Sequence, residues 1–187
     1  LLIRLDKIGD LVCTLPVDQA LNPKEWNVTW VVQKGLGAIP THSFPARNYF
    51  EVDKNNPVEA RQLIQNWLKE NSPAAAVSFN APWWINYELY KAKVPWRAGV
   101  RSQWHSFLFL NKAQRQKRSK SIKHEADYNL ELLAGLTDLP SVTPILKLQT
   151  CPIETQNVLG KSPIFKQPYV VVHPGMMGSA LNLPNEK

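Results

Sequence analysis

Apolar and polar positions change in blocks along this chain. "LLIRL" (residues 1–5) is a short apolar run, the pattern of a central parallel strand buried on both faces. Helical spacing follows over residues 11–21, where Pro16 is expected to kink the helix or delay its start. Residues 28–32, 49–52, 74–79 and 96–100 read as further strands bounded by turn residues. Asn56 and Pro57 suit the cap and first turn of a helix. In that helix Ala60, Leu63, Ile64, Trp67 and Leu68 fall on one face. Helices are also predicted over residues 82–91 and 125–136, the second ended near Gly135. Strands alternating with helices predict an α/β fold built on a Rossmann-like, doubly wound parallel sheet.

The pattern changes after Leu139. Pro140, Pro144, Pro152, Pro163 and Pro168 interrupt a stretch with little periodicity, as in a linker. Residues 169–172 then read as a new buried strand, and "HPGMMGSALNLPNEK" follows it. A strand and a Gly-containing turn begin a second α/β lobe. The expected organisation is a first lobe over 1–138, a linker over 139–168 and the start of a second lobe over 169–187. The sequence is therefore expected to be a piece of a longer protein.

Composition narrows the class. Cys13 and Cys151 stand far apart, so neither a disulfide scaffold nor a zinc site is expected, and no other metal ligand set stands out. No apolar run approaches the length of a membrane span, and a soluble, cytosolic protein is expected. Net charge is +7, and it is concentrated: residues 91–123 hold ten Lys or Arg and no acid, against 12 basic and 15 acidic residues elsewhere. Such a cluster favours an anionic partner.

Two segments carry candidate chemistry. In the first, "DKIGD", the turn after the opening strand lies at the carboxyl edge of the sheet, where open α/β folds bind ligands. Gly9 allows a tight turn or close approach of a ligand, Lys7 offers an anion contact, and Asp10 is a candidate general base. Asp10 as a helix cap beside a solvated Lys7 fits the same letters. The loop lacks the ending of a phosphate-binding P-loop, and "GLGAIP" lacks the third Gly of a dinucleotide fingerprint. The second segment is the basic one, which follows a predicted strand and is read as a single, partly mobile loop. Arg97, Arg101, Arg115, Arg118, Lys120 and Lys123 are the candidate contacts for phosphates and carboxylates, with His124 at the following helix start. A basic stretch with Trp104 and Phe109 also fits single-stranded nucleic acid, although no known nucleic-acid-binding pattern occurs.

Four stretches resemble one family. "LIRLDKIGDLVCTLPV", "AKVPWRAGVRS", "KHEADYNLELLAGL" and "VVVHPGMMGSALNLP" are similar, in order and spacing, to motifs of glycosyltransferase family 9, the lipopolysaccharide heptosyltransferases. The resemblance implies a two-lobed GT-B fold and inverting transfer of heptose from ADP-heptose to the anionic inner core of lipopolysaccharide. It implies no cofactor, no obligatory metal, and a cytoplasmic enzyme peripheral to the inner membrane. Asp10 matches the family's base; His173, Gly175, Gly178 and Ser179 match its donor diphosphate turn. The family's Lys in that turn is Leu181 here and its Trp is Leu183. A non-catalytic or donor-impaired relative that binds an anionic glycolipid is the alternative this departure implies. Residues 1–187 alone are expected to be inactive.

Overall fold

A computed structural model describes residues 1–120 and 122–149. β1 (Leu2–Arg4) leads into α1 (Ile8–Thr14), which tightens to a 3-10 turn over Leu15–Ala20. The helix starts three residues before the expected position, and Pro16 divides it rather than delaying it. Pro is tolerated there because the first N–H groups of a helical turn have no partner to lose. Then come β2 (Thr29–Gln33), α2 (Ala38–Thr41), β3 (Ser43–Phe44) and β4 (Asn48–Val52). α3 (Pro57–Asn71) is capped by Asn56 as predicted and ends at Ser72 in the left-handed region. β5 (Ala75–Ser78), α4 (Trp83–Lys91) and β6 (Trp96–Val100) follow as predicted.

The segment read as one basic loop contains two more elements. α5 (Trp104–Phe109) is held by a reciprocal Gln103–Ser106 capping box and buries His105 and Ser106. β7 (Lys112–Gln114) extends the sheet at its edge. A 3-10 turn over Arg118–Lys120 leads to α6 (Glu125–Glu131), shorter than expected because the chain turns tightly before Gly135, at φ 92°. β8 (Lys147–Leu148) pairs antiparallel with β3. Residues 139–149, expected to begin the linker, fold back onto the lobe: Thr143 Oγ1 donates to Asp127, and Leu146 packs on the core. Leu1–Gln149 form one unit. The expected strand over 169–172 lies outside the described residues.

The main sheet has the order β4-β2-β1-β5-β6-β7, with every pair parallel. From β1 the chain steps outward to β2 and β4, returns to β5 beside β1, and steps outward the other way. The point where the direction reverses, between β1 and β5, opens a crevice at the carboxyl ends of both strands. Leu1, Ile3, Val31 and Ala76 face α3 and α4, packing on Ile64, Leu68, Ile85 and Leu89. Leu2, Trp30, Val32 and Val77 face α1 and α6, packing on Leu11, Leu15, Leu130 and Leu133.

Polar anchors lock each layer. Asp18 takes both Nε and Nη2 of the buried Arg47, at 2.6 and 2.8 Å, and the Trp30 indole N–H at 2.8 Å. Glu88, 2% exposed, accepts from Arg61 and Gln65 and ties α4 to α3. The "GLG" turn cradles no ligand: the N–H groups of Gly35 and Gly37 both donate to Glu51 Oε1.

Gly99 allows β5 and β6 to approach. A Cβ on it meets the Ser78 carbonyl oxygen at 2.7 Å, and backbone cannot rotate aside. Gly99→Ala is expected to destabilise the lobe by about 1–3 kcal/mol, measured by urea unfolding.

Candidate functional site

The site grows from a charge placed where the strand pattern calls for an apolar side chain. Arg4 ends β1 on the face covered by α1 and α6, and its side chain is 4% exposed. Its guanidinium gathers groups from four segments. Nη1 donates to the Phe79 carbonyl at 3.1 Å and lies 3.6 Å from Glu125 Oε1. Nη2 is 3.2 Å from Asp10 Oδ1. Nε is 3.0 Å from Asp6 Oδ2, but its N–H direction misses that oxygen, so this contact is Coulombic only. Asn80 Nδ2 donates to the same Asp6 oxygen at 3.1 Å.

Arg118 approaches from the other side. It donates to Glu125, to Gln116 Oε1 at 2.8 Å and to Asn129 Oδ1 at 3.1 Å. Burial pushes its guanidinium below the usual arginine range, and Glu125 opposes that shift. Asn129 Nδ2 donates to Thr14 Oγ1 at 3.0 Å, and Thr14 Oγ1 donates to the Asp10 carbonyl at 2.6 Å. Asp10 is thus held at its carboxylate by Arg4 and at its backbone by Thr14. It lies in the first turn of α1, not at the cap, whose backbone position belongs to Lys7.

These groups wall an open cleft of about 300 Å³ at the switch point. Arg4 and Asp10 form one side, Phe79 and Asn80 follow β5, Val100 and Ser102 close β6, and Arg118 with Glu125 complete it. The Asp10 carboxylate is 43% exposed, so it is anchored yet accessible. The chemistry available is a positioned carboxylate beside a polar rim. Among the described residues no group of three His, Cys, Asp or Glu is arranged to hold a metal ion.

Of the residues named from sequence, the structure brings Asp10 and Arg118 into this cleft. Gly9 precedes Asp10 at the surface, and a Cβ on it meets nothing within 4 Å. Lys7 is exposed beside them. His124 caps α6, its Nδ1 accepting from the Ala126 N–H at 3.2 Å. Lys123 pairs with Glu131, whose carboxylate holds the amine above its usual range. Arg101, Arg115 and Lys120 are exposed, Arg101 stacking 4.6 Å from the Phe107 ring centre. Arg97 is not brought there: it donates to the Val94 and Phe109 carbonyls and lies 5.6 Å from the Tyr90 ring centre. His173, Gly175, Gly178 and Ser179 lie outside the described residues. Arg4, Glu125 and Asn129 were not named from sequence. The signal was present for Arg4, a lone cation inside "LLIRL" with Asp6 and Asp10 just beyond.

Solved structures share this architecture. E. coli ADP-heptose lps heptosyltransferase II superposes with a TM-score of 0.66 at 15% identity, over 87% of this chain and 51% of that one. E. coli heptosyltransferase WaaC, solved with ADP-2-deoxy-2-fluoro heptose, gives 0.60 at 18% identity, over 76% and 50%. A family 9 glycosyl transferase from Veillonella parvula gives 0.67 at 18% identity, over 86% and 49%. The chain has the heptosyltransferase fold. A curated Haemophilus influenzae protein named "Putative glycosyltransferase" is 28% identical over 98% of this chain and 56% of its own length. The chain therefore spans about half the length of the proteins it matches. No family model matches it. Among the described residues no helix is long and apolar enough to cross a membrane.

Replacing Arg4 leaves Asp10 without its cation, Asp6 with only the Asn80 amide and Glu125 with only Arg118. Arg4→Met is expected to cost roughly 3–5 kcal/mol in urea unfolding. A second test concerns His105, which is 5% exposed and whose imidazole is pushed below its usual value by burial. The unfolded chain takes up that proton near pH ~6.5 and the folded chain only at lower pH. Stability is therefore expected to fall as pH drops from about 6.5 toward the folded value, and His105→Gln to flatten that slope in thermal melts.

Proposed function

We propose that the full-length protein is an inverting glycosyltransferase that moves heptose from ADP-heptose to a hydroxyl on the anionic inner core of lipopolysaccharide. The observation that carries this reading is Asp10: a carboxylate fixed by a buried arginine, open to a cleft at the switch point, in the fold of the heptosyltransferases.

In this mechanism the acceptor occupies the cleft. Its hydroxyl oxygen attacks the anomeric carbon from the face opposite the diphosphate. The new C–O bond forms, the bond from the anomeric carbon to phosphate oxygen breaks, and ADP leaves with that electron pair. Asp10 takes the hydroxyl proton. Arg4 supports the carboxylate before the reaction; it does not touch substrate. The exposed Arg101, Arg115 and Lys120, together with Lys7 and His124, are the contacts proposed for acceptor phosphates. Arg118, already joined to Glu125, shapes the wall instead, and Lys123 is paired with Glu131. The donor diphosphate falls to the turn at His173, Gly175, Gly178 and Ser179, where Gly N–H groups suit a growing anion. The enzyme works at the cytoplasmic face of the inner membrane, held there by its acceptor and its basic rim.

Leu181, in place of a cation at that turn, favours a second reading: a relative that binds the acceptor and handles the donor poorly. Transfer assays on the full-length protein separate the two. With ADP-heptose and heptose-free lipopolysaccharide core, Asp10→Asn is expected to lower kcat by about 10²- to 10⁴-fold, while Asp138→Ala on the exposed surface leaves it unchanged. Full turnover by Asp10→Asn overturns the assignment of the base. Core binding without any transfer by the wild type selects the second reading.

A further inference from the structure

The rim of the cleft borders a second, smaller space. It holds about 20 Å³ and lies between the carboxyl ends of β5 and β6 and the helices α4 and α5, walled by Ser78, Asn86, Gln103 and His105. Asn80 and Ser102 line both the recess and the cleft. The recess is therefore a side chamber of the candidate site.

Its polar groups are matched except for one. Asn86 is 2% exposed; its Nδ2 donates to His105 Nδ1 at 2.9 Å, and His105 Nε2 donates to Gln103 Oε1 at 2.5 Å. Asn86 Oδ1 has no hydrogen-bond partner among the described residues. Turning the amide over does not cure this. His105 then offers Nδ1–H to the amide oxygen, and the amide nitrogen becomes the unmatched atom. Either way one buried amide atom of Asn86 is unmatched, and Asn86 lines a space the size of one water or hydroxyl group. Burial keeps His105 neutral, so the recess presents hydrogen-bonding capacity without charge.

We propose that the Asn86 recess is a specificity subsite that receives one hydroxyl of the saccharide acceptor, reaching across the Asn80–Ser102 rim to the Asn86 amide. This rests on the cleft being the acceptor site. A neutral hydroxyl fits the volume, meets the unmatched atom and brings no charge into a recess that has no counter-ion. The subsite selects among acceptors by one oriented hydroxyl, leaving recognition of their phosphates to the cations outside.

The test uses the full-length protein and a de-acylated lipopolysaccharide inner-core oligosaccharide. A crystal structure of the complex is expected to place an oligosaccharide hydroxyl within hydrogen-bond distance of the Asn86 amide. By calorimetry, Asn86→Leu and Ser102→Leu are each expected to weaken oligosaccharide binding roughly tenfold, with ADP-heptose affinity unchanged. Ser102 is exposed and lines recess and cleft alike, so its leucine variant serves if Asn86→Leu does not fold, with the crystal structure of the complex deciding between a blocked recess and a blocked cleft. An oligosaccharide seated in the cleft with only water in the recess, and full affinity in Ser102→Leu, overturns the subsite and leaves the acceptor reading standing. Failure of the wild type to bind the oligosaccharide overturns both.

Discussion

A single buried cation organises this lobe. Arg4 sits in the central strand of a six-stranded parallel sheet, where both faces are covered and water cannot screen its charge. Desolvating a guanidinium is expensive, and the structure offsets that cost by bringing carboxylates to it from separate segments. Asp6 comes from the turn after β1, Asp10 from α1 and Glu125 from α6. Such a cluster adds little net stability over well-packed apolar side chains. What it does is fix positions: α1 and α6 must present their acids at one point, and that point is the switch between β1 and β5.

The cluster also decides how the basic segment is used. Arg118 reaches Asp10 by two routes, through Glu125 and Arg4 to the carboxylate, and through Asn129 and Thr14 to the backbone carbonyl. A side chain committed to both has few donors left for a ligand. Lys123 is likewise engaged by Glu131. The positive charge between residues 91 and 123 therefore divides: Arg118 builds the cleft wall, while Lys123, Arg101, Arg115 and Lys120 are exposed. On the proposed function, the exposed cations act at longer range, raising the local concentration of an anionic acceptor in a way that salt weakens.

Much of this fold was legible because its strands are short, apolar and separated by helices with clear faces. Residues 96–100 and the Asn56–Pro57 helix start needed no tertiary information. α5 and β7 were hidden for a physical reason. β7, "KAQ", is an edge strand with only one neighbour, so it carries no apolar run, and α5 exposes Trp104, Phe107 and Leu108 while burying His105 and Ser106. That inverts the pattern on which sequence reading relies. Asp10 was visible from its place after a strand. Glu125, Asn129 and the second route to Asp10 were not, because they depend on α6 packing against α1 over a sequence separation of 115 residues. Arg4 lay between: its burial followed from the run around it, and a buried arginine requires acids, yet the run was read for its apolar letters alone.

On the proposed function, the charge in the cleft bears on which half of a transfer reaction it serves. Asp10 and Glu125 in its wall face Arg4 and Arg118, two acids against two arginines. In dinucleotide-binding relatives of this topology the turn after the first strand is a glycine-rich cradle whose N–H groups meet a pyrophosphate. Here that turn carries two aspartates, one lysine and a single glycine, and Gly35 and Gly37 after β2 have given their N–H groups to Glu51. A diphosphate at β1 finds no surplus of positive charge in the cleft wall and no glycine-rich cradle. A hydroxyl meets the reverse: a carboxylate to take its proton and neutral polar groups to orient it. On the proposed function, the switch point that elsewhere holds a nucleotide serves the acceptor here, and the nucleotide falls to the other half of the protein.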